Sequence, residues 1–393
     1  MKNVLALLAA AATLAAAPND PAAGWTNAAG LKLVRELSGD SNANVCISPL
    51  SIQIALAMTY TGAAGTTKEQ MASVLALPAD PSGVAAGFQK LTAAVQSTTR
   101  GGEGTVRLAN RLYGSVDYDF RPEFLSRLRD RFGAPLEAVD FAAGPDSVRE
   151  KINEWVEERT EERIRNLIPP GALSADTALV LVNALFLKAA WIHPFSEAAT
   201  APAPFQITPD QPVDVPMMRQ TEKMRFGRIN QFTVVGLPLR AGFEFLVLLP
   251  KHSGTPEWPS DFSFSTFDTL ALRDVELTIP KLRLNAPTVP LADTLKALGM
   301  TDAFGNQADF SGMAAPGRSK PLAISGVYHQ TFLEIDEDGL EAAAATAVGM
   351  MVLSAPMQPE KPEVVRVDRP FLFGVRHMPT GALLFIGRIT DPR

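Results

Sequence analysis

The 393 residues are 46% hydrophobic and 20% charged, a globular balance with apolar material for one large core or two modest ones, which excludes disordered, collagen-like and coiled-coil chains. A net charge of -6, from 36 basic and 42 acidic residues, gives no basic field to gather a phosphate backbone or an anionic lipid surface, so neither nucleic acid nor membrane is an expected partner. The single cysteine, Cys46, permits no internal disulfide and no thiolate metal cluster; within Val45-Cys46-Ile47 it reads as a small buried hydrophobe.

In chain order, the first element is a leader. Lys2 precedes an apolar run from Val4 to Ala17 that only Thr13 interrupts, and Ala15-Ala16-Ala17 offers the small residues a signal peptidase needs. Residues 1–17 therefore read as a signal peptide and the mature chain as secreted or periplasmic. The run is shorter than the roughly 20 residues of a membrane span, and no second candidate follows. From 22 to 393 no long Gly/Ser linker, charge block or internal repeat marks a boundary, so one domain is expected.

Helical periodicity is strong from Ser147 to Leu167. Ser147-x-x-Glu150 reads as a capping box, and Val148, Ile152, Trp155, Val156, Ile164 and Leu167 make one apolar face. Strands are expected at Ala178 to Leu187, Phe243 to Leu249, Val275 to Ile279, Val327 to Ile335 and Leu383 to Ile389. Helices dominate the first half and strands the second, which argues for an α+β fold on antiparallel or mixed sheets rather than a doubly wound parallel one.

Catalytic signatures are missing from the sequence. It has no G-x-S-x-G elbow, P-loop, H-E-x-x-H or G-x-G-x-x-G. Its four histidines, at 193, 252, 329 and 377, stand singly, with no second ligand at metal spacing. No enzyme activity, metal or cofactor is expected; hydrolysis by a dispersed Ser, His and Asp remains an alternative without a local signature.

One segment carries a functional argument. Glu337-Asp338-Gly339-Leu340-Glu341-Ala342-Ala343-Ala344-Ala345-Thr346-Ala347-Val348-Gly349 follows directly on a strand-like stretch. A helix confined between Gly339 and Gly349 would be marginal in water. At period two, Leu340, Ala342, Ala344, Thr346, Val348 and Met350 fall on one apolar side, and Glu341, Ala343, Ala345, Ala347 and Gly349 on a small or charged one. Side chains this small can slip between existing strands, so the segment reads as a loop in one state and a strand in another.

Motifs along most of the mature chain resemble those of the serine protease inhibitors called serpins. They include Asn44-Val45-Cys46-Ile47-Ser48-Pro49-Leu50-Ser51, Gly62-Ala63-Ala64-Gly65-Thr66-Thr67 and Leu108-Ala109-Asn110-Arg111-Leu112-Tyr113. The most recognisable are Ile152-Asn153-Glu154-Trp155-Val156 and Leu181-Val182-Asn183-Ala184-Leu185-Phe186-Leu187-Lys188 with Trp191 and Phe195. Asp309-Phe310-Ser311-Gly312 and Asp368-Arg369-Pro370-Phe371-Leu372-Phe373 continue the pattern to Gly387-Arg388.

The resemblance implies a fold of three β-sheets, about nine helices and an exposed reactive loop, here about 337–362. It also implies a mechanism: a target protease attacks the loop as substrate, the cleaved loop enters the central sheet as a new strand, and the acylated protease is distorted before water releases it. Residue by residue, it assigns Glu337, Gly339, Leu340, Glu341, Ala342, Ala343, Ala344, Ala345 and Thr346 to the hinge. Ser48, Ser51, Asn183 and His329 match the cluster called the shutter, which governs parting of the strands, and Trp191 matches the point where insertion begins. Asn110 and Trp155 are assigned packing and hydrogen-bonding roles only.

Counting from Glu337 puts the scissile bond between Leu353 and Ser354, with Met350 and Met351 as alternates. No Lys, Arg or Asp lies between Leu340 and Glu360, so the expected partner is a protease with an apolar primary pocket, chymotrypsin-like or elastase-like, and the inhibitor itself a monomer. Leu340 stands where inhibitory members carry a small residue. The alternatives are a non-inhibitory carrier or chaperone-like binding protein and an inhibitor of a cysteine protease.

Overall fold

The computed structural model describes residues 20–39, 42–260, 262–315, 321–340 and 361–393. The expected signal peptide, the hinge from Glu341 through Thr346, and Met350, Met351, Leu353 and Ser354 lie outside the described residues.

The helices are α1 (Pro21–Ser38), α2 (Pro49–Tyr60), α3 (Gly65–Leu75), α4 (Pro81–Thr98), α5 (Pro122–Arg127), α6 (Pro145–Arg159) and α7 (Ala292–Ala297). Strands β1 to β8 are Val45–Ile47, Gly104–Ser115, Leu136–Val139, Leu179–Ala190, Ala201–Thr208, Gln211–Ile229, Phe232–Pro238 and Phe243–Pro250. Strands β9 to β16 are Ala271–Pro280, Leu282–Asn285, Val289–Pro290, Gly326–Ile335, Gly339–Leu340, Glu363–Arg366, Phe371–His377 and Ala382–Ile389. Against the nine or so helices implied by the resemblance, the described residues hold seven α-helices. Other helical segments are short turns, such as the π-helical Leu128–Phe132 that prolongs α5.

The class is α+β, as the sequence argues. One network of seven strands runs β10-β12-β13-β4-β2-β3, with β11 on β12 and a direct parallel pairing of β12 with β4. A second, of nine strands, runs β1-β16-β15-β8-β7-β6-β9-β14, with β5 on β6. The long strand β6 passes from one sheet into another, pairing with β7 near its end and with β9 before that, so two of the three expected sheets share it.

Local chemistry fixes the element that matters most for the site. Ser48 caps α2 by accepting from Ser51 N, and Pro49 supplies the first helical φ. Every residue of α2 is buried, because the helix is wedged between β2 and β4 on one side and β16 on the other. A helix apolar on all sides suits that position. β4 reads Leu-Val-Leu-Val-Asn-Ala-Leu-Phe-Leu and is buried on both faces over this stretch, as a central strand must be.

The helix expected over Ser147 to Leu167 is shorter and starts earlier. α6 begins at Pro145 after Gly144, so Ser147 lies within its first turn and the capping box is not formed. It stops at Arg159 because Thr160 Oγ1 donates to Val156 O and accepts from Ile164 N, while Glu161 and Glu162 take positive φ of 51° and 62°. Ile164 and Leu167 still join Val148, Ile152 and Val156 in one core cluster, since Asn153 bonds both backbone groups of Ile168 and folds the chain back onto the helix. The apolar face was periodic, but its last members reach it from a loop.

Candidate functional site

Midway along the seven-stranded sheet, β4 and β12 pair directly, from Val180 with Gly326 to Leu185 with Thr331. Within this stretch Asn183 opposes His329, and both are fully buried. Asn183 Nδ2 donates to Tyr328 O at 3.2 Å, leaving Asn183 Oδ1 to accept from His329 Nδ1 at 2.5 Å. His329 Nε2 must then be the unprotonated nitrogen, because it accepts from Ser48 N at 3.0 Å. Burial favours this neutral form and pushes the His329 pKa down to about 3, against the opposing bond from Asn183. Ser51 Oγ donates to Asn110 Oδ1 at 3.0 Å, and Thr331 Oγ1 to Cys46 O at 3.0 Å. These bonds tie β2, β4 and β12 to β1 and α2 beneath them.

Towards one end the two strands separate and β13 fills the gap. Leu340 pairs antiparallel with Ile335 of β12 on one side and Ala189 of β4 on the other, and Gly339 opposes Ala190. Leu340 is 1% exposed and belongs to the main core. A side chain at 339 would press on Ala189 O and come within 2.9 Å of Trp191 N, so only glycine passes there.

The approach to this seat is held from three directions. Trp191 N donates to Asp338 O at 2.8 Å and Trp191 Nε1 to Asp336 O at 2.9 Å, while its ring stands edge-on to Phe195 and Phe245. Asp336 Oδ1 accepts from Asp338 N and Gly339 N, which closes the turn between β12 and β13. Glu337 accepts from Thr200 Oγ1 at 2.7 Å and pairs with Lys281 Nζ at 2.6 Å. Burial acts to raise the Glu337 carboxyl, but the bonds from Lys281 and Thr200 outweigh it and hold its pKa below the ordinary value.

The family profile described as serpin (serine protease inhibitor) matches residues 25–392. The chain belongs to the serpin family. Pig leukocyte elastase inhibitor is 36% identical over 377 residues, covering 92% of this serpin and 97% of the relative. A serpin-like protein of the archaeon Thermococcus kodakarensis is also 36% identical, over 92% of this chain and 83% of its own. Among solved structures, human thyroxine-binding globulin superposes with a TM-score of 0.84 at 26% identity, covering 95% and 99% of the two chains. Serpin48 of the insect Tenebrio molitor does so at 0.81 and 28%, covering 95% and 98%.

In this serpin the sequence-assigned residues fall into two groups. Ser48, Ser51, Asn183 and His329 share one buried hydrogen-bonded cluster, and Glu337, Gly339, Leu340 and Trp191 meet where β13 enters the sheet. Trp155 is a packing residue under the Arg111 guanidinium, 4.3 Å from its ring centre. Sequence reasoning missed Lys281, Thr200, Asp336 and Thr331, and gave Asn110 no bond to Ser51. Lys281 and Thr200 come from distant loops with no motif around them, whereas Asp336 sits two residues before Asp338 in a turn pattern that was open to reading. Among the described residues there is no cluster of His, Cys, Asp or Glu suited to a metal, and no helix is long and apolar enough to cross a membrane.

Proposed function

We propose that this serpin is an exported, monomeric suicide inhibitor of a serine protease with an apolar primary pocket, chymotrypsin-like or elastase-like. The protease serine attacks the Leu353 carbonyl, an acyl bond to Leu353 forms, and Ser354 leaves as a new amino terminus. The freed loop then continues the path of β13 between β4 and β12, carrying the acylated protease with it before water attacks the ester. Inhibition is a race between that insertion and deacylation.

The observation that carries this reading is the two-sided pairing of Leu340: a strand entering the sheet already has its first residues in register, and the small alternating side chains of 342–348 follow directly. Further insertion has to part six parallel residue pairs, Gly326–Thr331 against Val180–Leu185, through the buried cluster around His329. About twelve new ladder hydrogen bonds at ~1 kcal/mol each are nearly cancelled by the cost of ordering as many residues. Apolar burial, at roughly 1.5–3 kcal/mol for each large side chain, therefore decides the direction. The relatives named leukocyte elastase inhibitor support the apolar preference.

A second reading, a carrier, is favoured by the likeness to thyroxine-binding globulin. Mixing the mature protein with chymotrypsin, pancreatic elastase and papain decides among them on a denaturing gel. A covalent adduct with either serine protease supports the proposal, and mass spectrometry of the released fragment then fixes the bond. An adduct or trapped complex with papain alone moves the target to cysteine proteases. Clean cleavage without adduct or a rise in melting temperature overturns inhibition by insertion.

A further inference from the structure

Between α2, α4, β2 and the turn over residues 129–134 lies a cavity of about 450 Å3, lined in part by Ile54, Leu108 and Asn110. Asn110 is 8% exposed. The fully buried Ser51 hydroxyl donates to Asn110 Oδ1, its acceptor among the described residues, which turns the carboxamide oxygen towards α2. Asn110 Nδ2 is thereby left open towards the cavity, with no hydrogen-bond partner among the described residues. A donor held this way in a nine-tenths buried position is costly without an acceptor.

Arg131, also lining this cavity, donates to the neutral Gln89 Oε1 at 2.9 Å and has no carboxylate within ion-pair distance among the described residues. Arg129 differs, being paired with Asp130 at 3.0 Å. The cavity thus combines a buried amide donor with an uncompensated guanidinium, a fork suited to a planar carboxylate.

We propose that this cavity is a binding site for a small carboxylic acid carrying a second acceptor oxygen, such as a dicarboxylate. The second acceptor takes the Asn110 Nδ2 hydrogen and the carboxylate faces Arg131. Because Asn110 also holds β2 to α2 through Ser51, an occupied site stabilises the arrangement in which the sheet has not moved over that helix. The ligand therefore slows loop insertion, a consequence that rests on the function proposed above, whereas binding itself does not.

The test is calorimetric titration of the uncut, full mature chain with succinate, and with butyrate, which lacks the second acceptor. Succinate is expected to bind and butyrate to bind about tenfold more weakly, the equivalent of one hydrogen bond. Asn110→Asp keeps an acceptor for Ser51 but removes the donor, and Arg131→Gln removes the charge at an exposed position; each is expected to weaken succinate at least about tenfold. No binding of succinate at millimolar concentration, or equal binding by both variants, overturns the site. The rate at which melting temperature rises after loop cleavage, with and without succinate, gives the regulatory readout. An unchanged rate with binding intact overturns the coupling, and a melting temperature that never rises overturns insertion while leaving the titration to decide the site.

Discussion

Lys281 Nζ lies 2.6 Å from Glu337 Oε2, joining the turn after β9 to the residue just before the chain enters the sheet. The Glu337 side chain is 10% exposed and that of Lys281 40%, so solvent screens part of the attraction. A double-mutant cycle with Glu337→Gln and Lys281→Met is expected to give a coupling of about 1 kcal/mol at neutral pH, read from urea unfolding. Glu337 has a depressed folded pKa, so its contribution is complete above the unfolded carboxyl value and disappears as pH falls through the folded one. The difference between wild type and Glu337→Gln should therefore shrink in acid; a difference that grows on acidification refutes the assignment.

His329 predicts a pH dependence of larger size. Unfolded, the ring takes up a proton below its ordinary value of 6.5, whereas the folded ring, held neutral by burial, does so only near 3. The unfolded state binds more protons throughout that window, so stability falls as pH drops from 6.5 towards 3. Among the described residues the ring's hydrogen-bond partners are Asn183 and the Ser48 amide, neither of them charged. His377 is pushed down to about 4 by burial and slopes the same way. Stability of His329→Gln, compared with wild type between pH 7 and 4.5, should show a flatter decline while the His377 part persists. An equally steep decline in the variant removes His329 from the account.

Trp191 bonds Asp336 O through Nε1 and packs edge-on against Phe195 and Phe245. Trp191→Phe keeps most of the packing and leaves that carbonyl without its donor, at an expected cost of about 1–2 kcal/mol. Loop insertion after cleavage is expected to change tryptophan fluorescence, and Trp191→Phe to abolish most of that change, because Asp336 and Asp338 of the turn before β13 bond this residue. If the fluorescence change survives in full, the reporting residue is elsewhere.

How much of this was legible in the sequence depended on the range of the interaction. The core strands announced themselves because β4 and β12 are buried along most of their length, and a run such as Leu179 to Leu187 has no other place to go. α6 misled at its end: periodicity records which face a residue joins, and Ile164 and Leu167 join the right face after the helix has stopped at Thr160. The cluster around His329 was placed through motifs, not through spacing, since its members are drawn from α2, β2, β4 and β12. Lys281 and Thr200 had no such help, because an ion pair and a hydroxyl bond from two loops leave no periodic trace.

Leu340 gives the sharpest test of the hinge. At the position where the resemblance expects a small residue, Leu340 is seated between Ala189 and Ile335 with its side chain in the main core. Burial of that side chain favours the seated state by roughly 1.5–3 kcal/mol, so Leu340→Thr should loosen the hinge without closing its path. Leu340→Glu places a carboxylate where none can be solvated, a cost of several kcal/mol that keeps the hinge outside. Gly339→Ala reaches the same end by sterics alone, since its methyl group meets Ala189 O, Ala190 Cα and Trp191 N. Both blocking variants are expected to be cleaved by elastase at the wild-type bond, to yield at least about tenfold less covalent adduct, and to show no rise in melting temperature after cleavage, the partition shift that about 1.4 kcal/mol on the insertion step produces. Leu340→Thr should retain the adduct. Loss of adduct in Leu340→Glu alone would trace the effect to charge, whereas loss in both locates it in the seat between β4 and β12.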